Sequence, residues 1–379
     1  MTYPWGCLKS ETIGYEDILL FDSFTLLGRN YQKCFSFNSY ISATHLQIQR
    51  RIIDGISIIT ARDFSSNGSY VNGDLFDETQ IHCYDEISLF HPKKENSIHY
   101  CFIENEVEED DKQNGGPQYD YEIGNYLGSG GFSIVREAIS KESNNLYAIK
   151  IIKNSSVKKT TMFQNEINIM QSLEHPNIIK LEKVYITNKH IFLIMERLNG
   201  GDLYERIINN TFSQEHSKVV IYQILSALKY IKVHNIIHRD IKPENILFVN
   251  KLDYFIKITD FGLSRRIDTT SHLASTVCGS DLFIAPEILK KLYNGTPYDG
   301  SKVDVWSSGV LLFVMVCGYP PFSRTNNQYI ESILKGEIIF KEDWNNRNPL
   351  LIDLIKRMLV VDVNQRISIE NCLLHPFFK

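Results

Sequence analysis

Up to residue 104, apolar and polar positions alternate in short runs that end on turn signals. The runs are FTLLG at 24–28, HLQIQRRI at 45–52, GISIIT at 55–60, YVNG at 70–73, EISLF at 86–90 and IHYCFIE at 98–104. Asn-Gly, Asp-Gly and Asn-Gly-Asp steps separate them, and no long helical period interrupts them. Such a pattern predicts an all-β sandwich of about 100 residues, covering 4–104. Further along, the period changes. Strand-like runs at 123–137, 145–152 and 190–196 are interrupted by TMFQNEINIMQSL, where Phe163, Ile167 and Met170 recur at helical spacing. After residue 203, Ile221, Ile224, Leu225, Leu228 and Ile231 form one stripe, and SGVLLFVMVCG is apolar all round, as a buried helix would be. Residues 121–378 are therefore expected to form a small β-rich lobe joined to a larger helical one, an α+β region with no internal repeat.

Charge marks the seam. Forty Lys+Arg against forty-five Asp+Glu leave the chain at −5, and the stretch ENEVEEDDK at 104–112 alone holds six acids and one Lys. It runs on into QNGGPQYD, so 105–120 is expected to be an acidic linker. Charge repulsion, paired glycines and Pro117 oppose a packed core there. The absence of basic excess argues against direct nucleic-acid or anionic-membrane binding. The longest strongly apolar run, Val310 to Cys317, is eight residues, far short of the ~20 that span a bilayer. MTYPWGCL carries neither a signal-peptide pattern nor Gly at position 2. Seven cysteines, at 7, 34, 83, 101, 278, 317 and 372, show no CxxC spacing and suggest free thiols in a reducing compartment. The 379 residues leave room for two or three domains.

Chemistry-bearing residues gather in the second region. In LGSGGFSIV, Gly128 and Gly130 lie between strand-like runs, where bare backbone N–H groups can close over phosphate oxygens. A glycine-rich hairpin alone is weak, and Ser133 stands at the third glycine position. Lys150 ends the apolar strand YAIK and needs an anion; Glu166, beside the buried stripe of the next helix, is the candidate. HRDIKPEN places Asp240 and Asn245 five residues apart with Lys242 between them, and ITDFG places Asp260 after an apolar strand.

Together these motifs resemble the eukaryotic protein kinases over residues 121–378. The resemblance implies a bilobal fold and phosphoryl transfer from ATP with Mg²⁺. It makes Asn245 and Asp260 the metal ligands and Lys150, oriented by Glu166, the holder of the α/β-phosphates. Asp240 would accept or steer the substrate hydroxyl proton, and Lys242 would balance the γ-phosphate. Lys242 in place of Ala or Arg is similar to Ser/Thr rather than Tyr kinases. Leu127, Gly128, Gly130, Val135, Ala148, Lys150, Met195, Glu196, Leu198, Asp202 and Leu247 would surround the nucleotide. Thr269, Thr270, Ser271, Ser275 and Thr276 are the hydroxyls of the expected activation loop, and a phosphate on one would answer Arg239. Gly279-Ser280-Asp281 departs from the Gly-Thr-Pro usual in this group, and Glu287 with Arg366 is expected to pin the segment. An acidic patch of Asp202, Glu205 and Glu244 would favour substrates with Arg or Lys three residues before the target hydroxyl. A pseudokinase scaffold is the rival reading, and such proteins usually lose Lys150, Asp240 or Asp260.

In the first region, Gly28-Arg29, Ser42-Ala43-Thr44-His45 and Asn67-Gly68-Ser69 with Asn72-Gly73 fall at strand ends, where loops carry function on a rigid scaffold. In this order they resemble the forkhead-associated (FHA) domain. The resemblance implies a phosphothreonine-binding surface, with Arg29 on the phosphate, Ser42 donating to it and Asn67 holding the peptide backbone. His45 is expected to brace the loops from inside, and Ala43 removes a contact that others of the family make.

An FHA domain followed by a kinase is similar to the checkpoint kinase two type of the calmodulin-dependent kinase group. CGYPPF at 317–322, RMLVVD at 357–362 and HPFF at 375–378 extend the match. The resemblance implies a nuclear Ser/Thr kinase of DNA-damage or replication-checkpoint signalling, with the cytoplasm as the second location, phosphothreonine proteins as partners, and homodimerisation through a phosphorylated Ser-Gln or Thr-Gln cluster. This chain has only Thr79-Gln80 and Ser213-Gln214, and 98–128 has no Ser or Thr, which leaves that dimer without its usual docking segment. An FHA-kinase of another cascade such as meiosis, and an FHA-dominated adaptor, are the alternatives.

Overall fold

The computed structural model describes the chain apart from residues 1–3, 33, 34, 37, 55, 95, 131, 132, 154–163, 165, 210, 211, 263, 267–280, 295–299, 323–328, 342, 343, 345 and 346. Two compact units divide it, one of residues 1–157 and 181–197, the other of 158–180 and 198–379.

The first unit begins with ten strands: β1 Gly6–Ser10, β2 Ile18–Leu20, β3 Phe24–Leu27, β4 Leu46–Ile53, β5 Ile56–Asp63, β6 Ser69–Val71, β7 Asp74–Phe76, β8 Glu78–Gln80, β9 Glu86–Ser88 and β10 His99–Glu104. They make two antiparallel sheets, ordered β2-β1-β10-β9-β6-β7 and β3-β4-β5-β8. Alternation assigns the inward positions. Leu46, Ile48, Ile59 and Ala61 from one sheet share a single apolar cluster with Leu8, Ile87, Tyr100 and Phe102 from the other. Trp5 closes it with an edge-on contact to Phe102, and its indole N–H donates to the Asp22 carbonyl at 2.9 Å.

Instead of the expected acidic tether, the next segment is a packed helix, α1 (Asn105–Gln113), followed by a 3-10 turn at Pro117–Tyr119. Charge counted along the chain hides which face each acid occupies. Glu106 and Glu109 stay in solvent, whereas Val107 and Asp111, four residues apart, share the inward face. The fully buried Asp111 carboxylate accepts from Thr187 Oγ1 at 2.6 Å, His190 Nδ1 at 2.8 Å and Tyr84 Oη at 3.2 Å. Tyr84 Oη in turn accepts from Gln118 Nε2 at 2.8 Å. These donors offset the cost of burying the charge. Glu106 and Glu108 in the first turn suit the helix dipole, and Glu108 also reaches Lys112 at 3.7 Å. Gly115, at φ 77°, takes the left-handed turn that ends the helix.

Five antiparallel strands follow: β11 Tyr121–Gly130, β12 Ser133–Ser140, β13 Leu146–Lys153, β14 Leu181–Ile186 and β15 His190–Glu196, ordered β11-β12-β13-β15-β14. Gly128 and Gly130, expected between two strand-like runs, lie within the first of these strands, and β12 begins at Ser133. Register separates the faces. Arg136, Ile149 and Ile194 align across three strands, Ile151 and Phe192 across two, and this face joins Cys83, Tyr84 and Ala138 in a second apolar cluster. Val135, Lys150 and Leu193 align on the opposite face, beside Ala148 and Met195.

The second unit is mainly helical. It contains α2 Leu203–Asn209, α3 Gln214–Val233, α4 Pro286–Asn294, α5 Val303–Cys317, α6 Tyr329–Lys335, α7 Pro349–Met358 and α8 Ile369–Leu373. Residues 166–171 are also helical. Ser213 caps α3 by accepting the His216 N–H at 3.1 Å, and the stripe from Ile221 to Ile231 is buried. α5 is buried almost all round. No helix among the described residues is long and apolar enough to cross a membrane. Short pairs β16 Ile236–Ile237 with β19 Arg265–Arg266, and β17 Ile246–Phe248 with β18 Ile256–Ile258, frame the loops that carry Asp240 and Asp260.

Candidate functional site

The loop between β16 and β17 has its backbone fixed from behind. Asp304, on the first turn of α5, accepts the His238 N–H at 2.9 Å and the Arg239 N–H at 2.8 Å. Burial pushes the Asp304 carboxyl up, and the His238 ring and these two N–H groups oppose the rise. Arg239 adopts a left-handed backbone, φ 69°, which turns the chain at the next residue, Asp240. His238 Nε2 lies 3.1 Å from the Thr259 carbonyl, and its ring packs edge-on against Phe261.

On this frame Asp240 is 7% exposed. Its Oδ2 is reached by Lys242 Nζ and by Asn245 Nδ2, both at 2.8 Å, and Asn245 Nδ2 also donates to the Asp240 carbonyl at 2.8 Å. With the amide N–H₂ committed to Asp240, the Asn245 side-chain oxygen is the end left to face a cation. The Thr259 N–H donates to the Asn245 carbonyl at 2.9 Å, tying Asp260 to the same loop. Asp260 is itself left-handed, φ 59°. Glycine at 262 gives room to two carboxylates, because a Cβ there would lie 3.2 Å from Asp260 Oδ1 and 3.4 Å from Glu166 Oε2. Glu166 is 3% exposed.

Residues 198–202 run against β17. The Asn199 and Gly200 N–H groups donate to the Val249 and Phe248 carbonyls, and Asp202 bridges Leu247. Leu198, Asp202 and Leu247 are thereby gathered. Asp202 also caps α2 by accepting the Glu205 N–H at 2.7 Å. Burial pushes its carboxyl up, that N–H opposes the rise, and the like charges of Glu205 and Glu244 add to it. Glu287 and Arg366 form a two-pronged ion pair at 2.7 and 2.9 Å. Thr269, Thr270, Ser271, Ser275 and Thr276 lie outside the described residues.

The first unit holds the other sequence-selected positions. Val135, Ala148, Lys150 and Met195 share one sheet face, with Glu196 paired to Tyr147 at the end of β15. Leu127, Gly128 and Gly130 lie on β11. A Cβ on Gly128 would meet nothing within 4 Å among the described residues, so no packing contact calls for glycine there. Lys150 belongs to the first unit and Glu166 to the second.

At the loop end of the two N-terminal sheets, Gly28 lets two segments touch. A Cβ there would lie 2.4 Å from the Ala43 carbonyl oxygen, and its φ of 151° also disfavours a side chain. The Arg29 N–H donates to the Ser42 carbonyl at 3.0 Å. Ser42 Oγ accepts the Ser66 N–H at 3.1 Å, and Asn67 Nδ2 donates to the Tyr40 carbonyl at 2.9 Å. Arg29, Ser42 and Asn67 are thus brought onto adjoining loops. His45 is fully buried, and its Nδ1 accepts the Ser42 N–H at 3.0 Å. Asp63 ties down the next loop through Ser65 and Ser69.

Sequence reasoning passed over Arg136, Glu11, Asp111, His190 and Asp304. Arg136 carried a usable signal, a cation in the strand SIVREAIS, the kind of signal that singled out Lys150. It is fully buried, donates to the Tyr84 carbonyl at 3.1 Å and the Gly124 carbonyl at 2.9 Å, and pairs with Glu11.

A sequence profile of the protein kinase domain matches residues 121–378. The chain belongs to the protein kinase family. It is 32% identical over 387 residues to the probable serine/threonine-protein kinase fhkC of Dictyostelium discoideum, covering 99% of this chain and 64% of that protein. It is 36% identical over 394 residues to fhkE of the same organism, covering 99% of this chain and 54% of that protein. Calcium-dependent protein kinase 5 of Plasmodium falciparum is 39% identical over 264 residues, 68% of this chain and 45% of its own. The chain therefore spans between about half and two thirds of the length of these two Dictyostelium relatives.

Protein kinases use ATP with Mg²⁺. Among the described residues no three His, Cys, Asp or Glu side chains gather as a metal cage. Mg²⁺ rarely needs one, since it is held by one or two protein oxygens, substrate phosphates and water. Asn245 and Asp260 supply oxygen donors of that kind, so the residues present fit the ion.

Proposed function

We propose that this chain is an ATP-dependent serine/threonine protein kinase that reads phosphothreonine through an N-terminal FHA domain. The observation that carries the catalytic half is Asp240 Oδ2 held between Lys242 and Asn245 on a loop fixed by Asp304. In that position Asp240 orients the hydroxyl of a Ser or Thr and takes up its proton as the hydroxyl oxygen bonds to the γ-phosphorus and the bond from that phosphorus to the bridging oxygen of ADP breaks. Lys242, 2.8 Å from Asp240, offers a positive charge to the transferring phosphoryl group. Lys150 holds the nucleotide phosphates, while Asn245 and Asp260 would hold Mg²⁺. The bound metal supplies charge neutralisation between the phosphates.

The phosphothreonine reading rests on Arg29, Ser42 and Asn67 meeting at one end of the sheets. Arg29 is exposed, and its guanidinium makes no ion pair among the described residues. The Asp202, Glu205 and Glu244 cluster favours a substrate with Arg or Lys three residues before the target. We place the enzyme downstream of another kinase, in a checkpoint-type cascade of the nucleus, because its reader takes a phosphorylated ligand.

Mass spectrometry of a Ser/Thr peptide library, incubated with Mg-ATP and either the full chain or Asp240→Ala, tests catalysis. Phosphopeptides are expected with the first and not the second; none with either would remove the enzyme. Titration of phosphothreonine peptides onto wild type and Arg29→Ala tests the reader, and equal affinities would overturn it.

A further inference from the structure

The hairpin turn between β6 and β7 reaches the strand that carries the glycine pair. Asn72, at φ 51°, leads this Asn-Gly turn, and the pairs Ser69↔Phe76 and Tyr70↔Leu75 anchor it to the sheet. Its side chain is pinned at both ends. Nδ2 donates to Asp85 Oδ1 and Oδ1 accepts the Glu86 N–H, each at 2.9 Å. A third bond runs from the Asn72 N–H to the Glu86 carbonyl at 2.9 Å. The Asn72 carbonyl is left in a fixed place, and two hydroxyls of β11 converge on it. Ser129 Oγ and Tyr126 Oη each lie 3.1 Å from it and 2.9 Å from each other.

Both lone pairs of that carbonyl are within reach, so each hydroxyl can donate to it directly, or Tyr126 can donate to Ser129 and Ser129 to the carbonyl. Ser129 is the residue between Gly128 and Gly130. The β11–β12 register shifts on both sides of Tyr126, just before the pairs Gly128↔Val135, Ser129↔Ile134 and Gly130↔Ser133 resume it. Asn72, 54 residues before Tyr126 and 57 before Ser129, adds a restraint from outside this sheet.

We infer that the Asn72 carbonyl positions the glycine-rich strand for ATP, holding Gly128-Ser129-Gly130 through the Ser129 and Tyr126 hydroxyls. This rests on the kinase reading above. None of the three groups needs to touch nucleotide. They act by ordering the strand before ATP arrives, which lowers the entropy cost of binding. The signature is therefore in KM for ATP more than in kcat.

The full chain is assayed for KM and kcat with Mg-ATP and a library-selected peptide, and for direct binding of fluorescent trinitrophenyl-ATP. Tyr126→Phe with Ser129→Ala removes only hydroxyls and is expected to raise KM for ATP about fivefold, with kcat within about twofold. Ser129→Thr keeps a hydroxyl and is expected to stay near wild type. Asn72→Asp sets a carboxylate against Asp85 and disturbs the clamp from the other side, so it is expected to raise KM as well. Combined with the hydroxyl deletions it is expected to add less than the sum. Unchanged KM in the hydroxyl-deleted protein, or full additivity with Asn72→Asp, overturns the inference. A wild type that binds nucleotide while the variants match it refutes this inference alone; a wild type that binds none refutes the kinase reading itself.

Discussion

Lys150 and Arg136 are two cations in one sheet, on adjacent strands and one register step apart, yet they face opposite ways. Lys150 shares its face with Val135, Ala148 and Met195, the positions expected around a nucleotide. Arg136 shares the other with Ile149, Phe192 and Tyr84 and is sealed to 0% exposure. A strand gives one residue to each face in turn, so one position decides whether a charge meets a ligand or braces the protein. Exposure alone does not distinguish their tasks; what separates them is which residues share each face.

The largest test of that contrast is Lys150→Ala. It is expected to lower phosphoryl transfer about a thousandfold, ~4 kcal/mol of transition-state stabilisation, with little change in thermal melting. A variant that melts early and keeps its turnover would erase the distinction. Arg136→Met comes next, with an expected loss of roughly 3–4 kcal/mol in denaturant unfolding, because Glu11 is left without its ion-pair partner while its side chain is only 10% exposed. Adding Glu11→Gln should restore part of it. Smallest is a pH effect in the loops of the N-terminal sheets, at His45. Burial pushes the His45 imidazole below its ordinary 6.5, so the unfolded chain takes up that proton first. The stabilisation it brings is complete above pH 6.5 and is lost as pH falls toward the folded value. Melting temperatures compared between about pH 7.5 and 5.5 should fall further for wild type than for His45→Asn, whose amide can still accept the Ser42 N–H. Parallel falls would assign the sensitivity elsewhere.

Much of the architecture was legible where apolar spacing is strong. β3, β4, β5, β9, β10, β13 and β15 stand within a few residues of the runs that predicted them, and the stripe on α3 is buried as its period required. What escaped was short or polar. β7 and β8 are three residues each, DLF and ETQ, and carry almost no alternation to read. β14, LEKVYI, hides its period behind Glu182 and Lys183. The motif residues on the Asp240 loop were readable because phosphoryl transfer demands those side chains at fixed spacing. Asp304 was not, since its partners are the backbone N–H groups of His238 and Arg239, some 65 residues away, which leave no trace in side-chain spelling. Asp111 was hidden more thoroughly, one buried acid among neighbours that look the same.

That acid makes the join between the sandwich and the five-stranded sheet a matter of angle as well as length. Each residue of an α-helix advances the chain by 1.5 Å but turns it by about 100°. One residue inserted ahead of Asp111 would barely lengthen the connection, yet it would swing the carboxylate out of line with Thr187 and His190. A whole-turn change would keep that bearing and move the anchor by about 5 Å. The joint therefore behaves like a threaded coupling, in which the number of residues is keyed to a direction and deletions that look harmless by length alone put the thread out of step.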